Sequence, residues 1–555
     1  MKNNRVLFLF LFLFIIVAAV IMTYPLVLHL PDGVVDLPED QLLTSWIINW
    51  DIKAFLSNPL GIFDTNIFYP EKNTLAYSDT MFTLAFFASP FLYLSGNPLF
   101  AHNVLLLFSF VFTFFSMYFM MDYFLKDKAG AAVAGIAFTF TSYTLAHINH
   151  LSLIWIGFIP LTVLYLDIYL REGKIKDLSL MLLFYAFQFF TAFYYAFYLA
   201  LVIFIYVIIF KFKNSGILKW KYIKGLIIGF LILFFILSPV IIQYMKINTQ
   251  DTNRISLDSA VFYSTDIKDF ACPGKFNKVY TFFNDRFGSE YFPWEHSLFP
   301  GFILIFLALW GAFSKPKTQS PFIKMFFIIT ALITFIMVLG PYLKIFGKVV
   351  YIKLPFYYLH QFIPGFNNIR APAHFGIFLF FSLAALAGAG FYNLTSGFRY
   401  KNLFAVIFII LICFENFSAP LPVNWVQSKG SLPKVVTCLS SLEDNAVLVH
   451  MPMYYTIDRA WIYMSMYHGR KIINGHSGQN PQWYDSLSRF VNTKISDPRC
   501  IDFLKRWGVD YIVFHFKRLP PDYAEKVRTR LLNNKNLKLI FKDDNDKDYV
   551  FKIIP

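Results

Sequence analysis

The sequence predicts a polytopic α-helical membrane protein of about eleven transmembrane helices, followed by a soluble α/β domain at its C-terminal end. Three observations predict it. Of 555 residues, 57% are hydrophobic and only 15% charged, with a mean hydropathy of +0.53, whereas a soluble chain of this length carries far more surface charge. Apolar runs long enough to cross a bilayer recur from residue 6 to residue 418 and then cease. The Lys and Arg residues gather in alternate connections between those runs.

A helix needs roughly 20 apolar residues to cross the hydrocarbon core. Runs near that length lie at 6–28, 102–124, 130–146, 153–170, 178–192, 195–210, 225–243, 298–314, 323–341, 373–394 and 402–418. The first follows Lys2 and Arg5 as a signal peptide would. It is too long for a signal core and lacks a small-residue cleavage site, so it is read as a retained span. Residues 80–96 are apolar as well, but Pro90 interrupts them and Gly96-Asn97-Pro98 ends them, which predicts an interfacial or re-entrant helix.

If 80–96 does not cross, one face receives Lys2/Arg5, Lys126/Lys128, Arg171/Lys174/Lys176, Lys211/Lys213/Lys219/Lys221/Lys224, Lys315/Lys317/Lys324 and Arg399/Lys401. The positive-inside rule makes that face cytoplasmic. The same distribution excludes the nucleic-acid reading that a net charge of +15 invites. The opposite, external face receives the long loops 29–101, 244–297 and 342–372, together with residues 420–555. Loops of that length are usually functional, so the working surface is expected outside. The chain thus divides into a membrane domain, 1–419, and an extracytoplasmic domain, 420–555.

In the terminal domain Val447-Leu448-Val449 and Tyr511-Ile512-Val513-Phe514 read as buried strands. Leu537 to Ile554 reads as a hairpin turning through Asp543-Asp544-Asn545-Asp546. A helix opens at Asp497-Pro498, a capping residue followed by Pro at the first helical position, and stops at Gly508. Four cysteines form neither a disulfide framework nor a zinc motif, although Cys438 and Cys500 share this domain and a bridge between them is left open.

The ionisable groups cluster in the external loops. Asp32, Asp36, Glu39 and Asp40 follow the first span, and Asp79 closes Leu75-Ala76-Tyr77-Ser78-Asp79. Carboxylates there are able to bind a divalent cation or to take a proton from an acceptor hydroxyl; a solvated turn is the alternative. Trp46 and Trp50 are four apart on one helical face beside Asp51, as interfacial anchors would be. His147 and His150 lie three apart at the end of a span, where they suit a phosphate or a metal, but the pair lacks the further ligands zinc requires. Glu295 stands in Trp294-Glu295-His296 before Leu298-Phe299-Pro300-Gly301. Arg370 lies in the run from Pro364 through Arg370-Ala371-Pro372-Ala373-His374-Phe375, placed to clamp a phosphate or to snorkel.

Thr23-Tyr24-Pro25-Leu26, the acidic first loop with Asp40 and Trp46, and Ile67-Phe68-Tyr69-Pro70 with Tyr77-Ser78-Asp79 are carried together in this chain. So are Ala146-His147 to Leu151, Leu298-Phe299-Pro300-Gly301 and Arg370-Ala371-Pro372. With these features it resembles the GT-C superfamily of membrane glycosyltransferases, nearest a bacterial branch of YfhO-like and mannosyltransferase-like proteins. The resemblance covers most of the chain. It implies a polyprenyl-phosphate-linked sugar donor, a glycan, lipid or protein acceptor, and inverting transfer at the external face of the cytoplasmic membrane. It implies a catalytic or metal-binding acid in the first external loop, matched best by Asp40 and next by Asp36, with magnesium or manganese as the cation. Many members carry a Gly-Asp or paired acidic dipeptide there, whereas this chain has Asp36-Leu37-Pro38-Glu39-Asp40, so the base stays open among Asp36, Glu39 and Asp40. Asp79, His147, His150, Glu295 and Arg370 are the expected substrate contacts. A flippase for a lipid-linked saccharide places charges along a path within the spans, and these spans are almost free of charge. A non-catalytic envelope assembly protein is the third reading.

Overall fold

The computed structural model describes residues 2–213, 219–248, 256–289, 293–315, 321–363 and 365–554; Lys317, Pro364 and the centre of the 211–224 connection lie outside them. Every run expected to span is helical. Among the described residues, seven helical segments are long and apolar enough to cross a membrane: Arg5–Met22, Pro98–Leu125, Lys128–Ala146, Leu151–Glu172, Phe193–Lys213, Trp220–Ile247 and Pro372–Thr395, of which Lys128–Ala146 breaks before Ser142 and Leu151–Glu172 before Phe158. The runs at 178–192, 298–314, 323–341 and 402–418 form the shorter helices Ile175–Phe189, Phe302–Phe313, Pro321–Val338 and Lys401–Glu415. The first helix stops at Met22 and not at 28, because Pro25 removes a donor and disfavours helix in the residue before it. Residues 80–96 form the helix Phe82–Ser95, ended by Gly96 in the left-handed region at φ +62°.

The contacts divide the chain into two compact units. The first comprises Met1–Leu28, Leu105–Ile241 and Asn248–Pro422 and holds most of the apolar helices. Its helices pack closely through small residues. A Cβ added to Gly390 would stand 2.0 Å from the Leu307 carbonyl, and one on Gly311 would stand 2.0 Å from that of Leu386. Between apolar helices such contacts replace the hydrophobic effect with van der Waals packing. The start of Phe302–Phe313 is held by Glu415, whose carboxylate accepts from the backbone N–H of Phe302 (2.8 Å) and Ile303 (2.9 Å) and from the Tyr280 hydroxyl (2.9 Å). That satisfies donors every helix start leaves open. The 342–372 loop contains a hairpin, Tyr342–Ile345 with Lys348–Lys353, which the sequence reading did not assign.

The second unit comprises His29–Val104, Ile242–Ile247 and Val423–Pro555. The sequence division after residue 419 left the first long loop with the membrane domain; the contacts place it with the C-terminal residues. The reason is backbone pairing. The sheet runs Lys471–Ile472, Val447–Met451, Tyr511–His515, Asp548–Ile553 and Leu537–Asp543, with the first three strands parallel and the last two added antiparallel. At its edge the Ile472 N–H donates to the Asn66 carbonyl (2.8 Å) and the Tyr69 N–H to that of Ile472 (3.0 Å), covering donors and acceptors an edge strand would expose. Gly33–Val35 likewise pairs with Val423–Trp425. Phe68 sits in the left-handed region at φ +58°, with its buried ring against Tyr484 and Tyr77, and a Cβ on Gly475 would meet that ring at 2.4 Å.

The strands, the 537–554 hairpin and the helix Pro498–Arg506, capped by Asp497, follow the sequence reading. All four cysteines are free, which closes the question of a Cys438–Cys500 bridge. Trp46 is not a lipid-interface anchor. It is buried in the second unit and donates its indole N–H to Asn66 (3.3 Å), and Trp50 donates to the Ile62 carbonyl (2.8 Å).

Candidate active site

Two polar clusters, one in each unit, hold several of the expected site residues. The cluster in the first unit is built from three segments far apart in sequence. His147 follows the short helix Ser142–Ala146, which the Ser142 hydroxyl fastens to the Phe299 carbonyl (2.7 Å). Glu295 precedes the segment 298–301, which is fixed by backbone bonds from Leu298 to Asp269 (3.2 Å) and from Phe299 to Cys272 (3.0 Å). His374 lies in the turn Pro372–Phe375 that leads into the helix Gly376–Thr395, where Gly376 lets the backbone close on Leu298.

All three side chains are buried. Glu295 Oε1 lies 3.0 Å from His374 Nε2, and Glu295 Oε2 lies 3.8 Å from His147 Nε2. His147 Nδ1 lies 2.9 Å from the Tyr143 carbonyl, which only accepts; Nδ1 therefore carries the proton and, in the neutral ring, Nε2 presents a lone pair to Glu295. Burial pushes the His147 ring towards that neutral form, against the pull of Glu295. Burial also presses the Glu295 carboxyl upward, but His374 beside it prevails and holds it well below the usual carboxylate range. Tyr194 frames the cluster, its ring 5.6 Å from that of His374. The His150 ring stands 5.8 Å from the His147 ring and 5.4 Å from that of Trp294. Exposed Arg370 lies elsewhere in its contacts, with its guanidinium 4.9 Å over the Tyr263 ring.

In the second unit the acids of the first loop surround the start of the helix Asp40–Ser57. Asp36 takes a left-handed φ of +61°, and its carbonyl accepts from Asn424 (2.7 Å). Glu39 pairs with Arg459 at 3.0 Å, and Arg459 also donates to His476 Nε2 at 2.8 Å. His476 is pushed down to about 3, first by burial and then by Arg459, while Asp40 pulls the other way. Asp40 thus stands half-buried within the electrostatic reach of an Arg–His pair. Asp79 belongs to the segment the Tyr244 hydroxyl bridges, donating to the Ser78 carbonyl and accepting from the Thr80 N–H, both at 2.8 Å. Asp51 lies deep in the same unit, and its burial raises the carboxyl well above the usual range.

Among the described residues, one group of three has the spacing to hold a metal ion: His147, Glu295 and His374, whose ligand atoms lie within 4.8 Å of one another. Asp36 and Asp40 belong to no such group. The sequence reading gave His147 and Glu295 site roles but quoted His374 only within the run that leads into a span, and it missed Arg459 and His476. The local sign of His374 is a lone histidine at the second position of the apolar run 373–394.

No family model and no curated protein matches the chain. Solved structures do. The chain is similar to the arabinofuranosyltransferase AftD from Mycobacteria, with a TM-score of 0.52 and 11% identity over 94% of this chain, which spans only 42% of AftD. It is also similar to ArnT from Cupriavidus metallidurans, solved bound to undecaprenyl phosphate, with a TM-score of 0.50 and 11% identity over 100% of this chain and 98% of that one. The protein has the GT-C fold. It has several apolar helices, most of them in the first unit, and a C-terminal α/β part.

Proposed function

We propose that this protein is a glycosyltransferase that moves a sugar from a polyprenyl-phosphate carrier to an acceptor, with inversion, at the external face of a bacterial inner membrane. The observation that carries the reading is the GT-C fold shared with ArnT over nearly the whole of both chains, in a structure that holds undecaprenyl phosphate. The one-sided basic loops support the external placement of loops 29–101, 244–297 and 342–372 and of residues 420–555. In this reading Asp40 is the general base, with Asp36 and Glu39 the other acids of the loop. The Glu39 carboxylate pairs with Arg459. Asp79, His147, His150, Glu295 and Arg370 contact substrate, and the terminal domain binds acceptor or caps the loops. A magnesium or manganese ion on Asp36 and Asp40 finds no third ligand among the described residues.

Three variants test the base: Asp40→Asn, Asp36→Asn and Glu39→Gln, each assayed for passage of a labelled sugar from its polyprenyl-phosphate carrier into product. Asp40→Asn keeps the size of the side chain and removes its basicity, so transfer should be lost while insertion and folding persist. Normal transfer in all three variants would reduce the acidic loop to a solvated turn.

A further inference from the structure

We infer that His147, Glu295 and His374 form a binding site for a zinc-class divalent ion in the first unit. The inference rests on these three side chains alone and stands whether or not the protein transfers sugars. Its first support is the pair of buried atoms that face each other. His147 Nε2 and Glu295 Oε2 are 3.8 Å apart, and neither has a hydrogen-bond partner. With Nδ1 committed to the Tyr143 carbonyl, Nε2 is the ring atom left to bind an ion, and it faces a carboxylate oxygen. Two buried atoms opposed in this way need a positive charge between them, either a metal ion or a proton on Nε2, since leaving a buried carboxylate and a buried ring nitrogen unpaired is costly.

Distance and donor chemistry then choose the ion. Glu295 Oε1 lies 3.0 Å from His374 Nε2 and Glu295 Oε2 lies 3.8 Å from His147 Nε2, and one ligand atom from each residue lies within 4.8 Å of the others, so small side-chain adjustments bring all three to ~2.1 Å from a single ion. Two imidazoles and one carboxylate suit zinc and its transition-metal neighbours, whereas magnesium prefers oxygen ligands and keeps its water. The Tyr143 carbonyl supplies the outer hydrogen bond that orients a metal-bound histidine.

The test is the metal content of the full-length, untagged protein, purified in detergent without chelator and measured by plasma mass spectrometry. The expected result is roughly one zinc-class ion per chain, at least ~10-fold reduced in His147→Ala and in Glu295→Gln, and retained in Asp36→Asn and Asp40→Asn. Stripped unaltered protein should melt at a higher temperature when zinc or cobalt is returned, and this shift should vanish in His374→Gln, which guards against a variant that merely misfolds. Cobalt in the site should give visible absorption bands. Sub-stoichiometric metal in the unaltered protein, with no melting shift on adding zinc, cobalt or manganese, would overturn the site and leave a hydrogen-bonded triad. Loss of the ion in Asp40→Asn, with retention in His147→Ala, would overturn it in favour of the acidic loop.

Discussion

Asp458 shows how far burial alone shifts a side chain in this protein. It accepts from the Tyr484 hydroxyl (2.6 Å) and from Asn474 (2.8 Å), yet burial outweighs both and raises its carboxyl to about 7. The unfolded chain releases this proton near ~3.9. Stability from this group is therefore complete below pH ~4 and is lost as the pH climbs through about 7. Melting followed by tryptophan fluorescence should show a downward slope from pH ~4 to about 7 that flattens in Asp458→Asn; an unchanged slope would mean that other groups cause it. At Asp40 the expectation concerns rate, with Asp40→Asn costing about 100- to 10,000-fold in sugar transfer, the range of a general base. Sequence reading singles out Asp40, His147 and Glu295 as candidates because polar residues beside spans stand out against an apolar background. It could not reach Arg459 or His476, which meet the first loop only through folding across some 400 positions, nor see that His374 closes on Glu295.

The spans were the most legible elements, since a long apolar run has few alternatives to a helix in a bilayer. Their lengths were less so. Helix ends depend on single residues such as Pro25, and a run counted from hydropathy continues past them. The strands Val447–Met451 and Tyr511–His515 were legible as short apolar runs, whereas Lys471–Ile472 is too short to carry a pattern. Helix packing gives a direct expectation. Gly311→Leu or Gly390→Leu would force a side chain into the carbonyl of the facing helix, and overpacking of this kind costs about 1–3 kcal/mol or more. Both variants should melt earlier than the unaltered protein in the same detergent, while Gly347→Leu, with open space around its Cβ and only its φ of +82° to oppose the change, should lose less. Equal losses would refute the packing argument. Glu415→Ala removes the acceptor for two helix-start N–H groups and a Tyr hydroxyl, and should cost about 1–3 kcal/mol by the same measurement.

At the scale of the whole molecule the fold is that of the GT-C membrane glycosyltransferases, and two expectations follow from it. The first is orientation. With the basic connections inside, a cysteine replacing Asn545 should react with an impermeant thiol reagent on intact cells, and one replacing Lys221 should not; the reverse pattern would invert the protein and move its working face. The second is the reaction. A flippase and a transferase both handle a lipid-linked sugar, and they differ in whether the bond between sugar and phosphate survives. The deciding measurement is to reconstitute the purified protein in liposomes holding polyprenyl phosphate linked to a radiolabelled sugar, add envelope acceptor, and separate lipid from product. The account predicts that label leaves the lipid, free polyprenyl phosphate appears in equal amount, and Asp40→Asn stops both. Label that crosses the bilayer still joined to its lipid, with no free carrier formed, would contradict it.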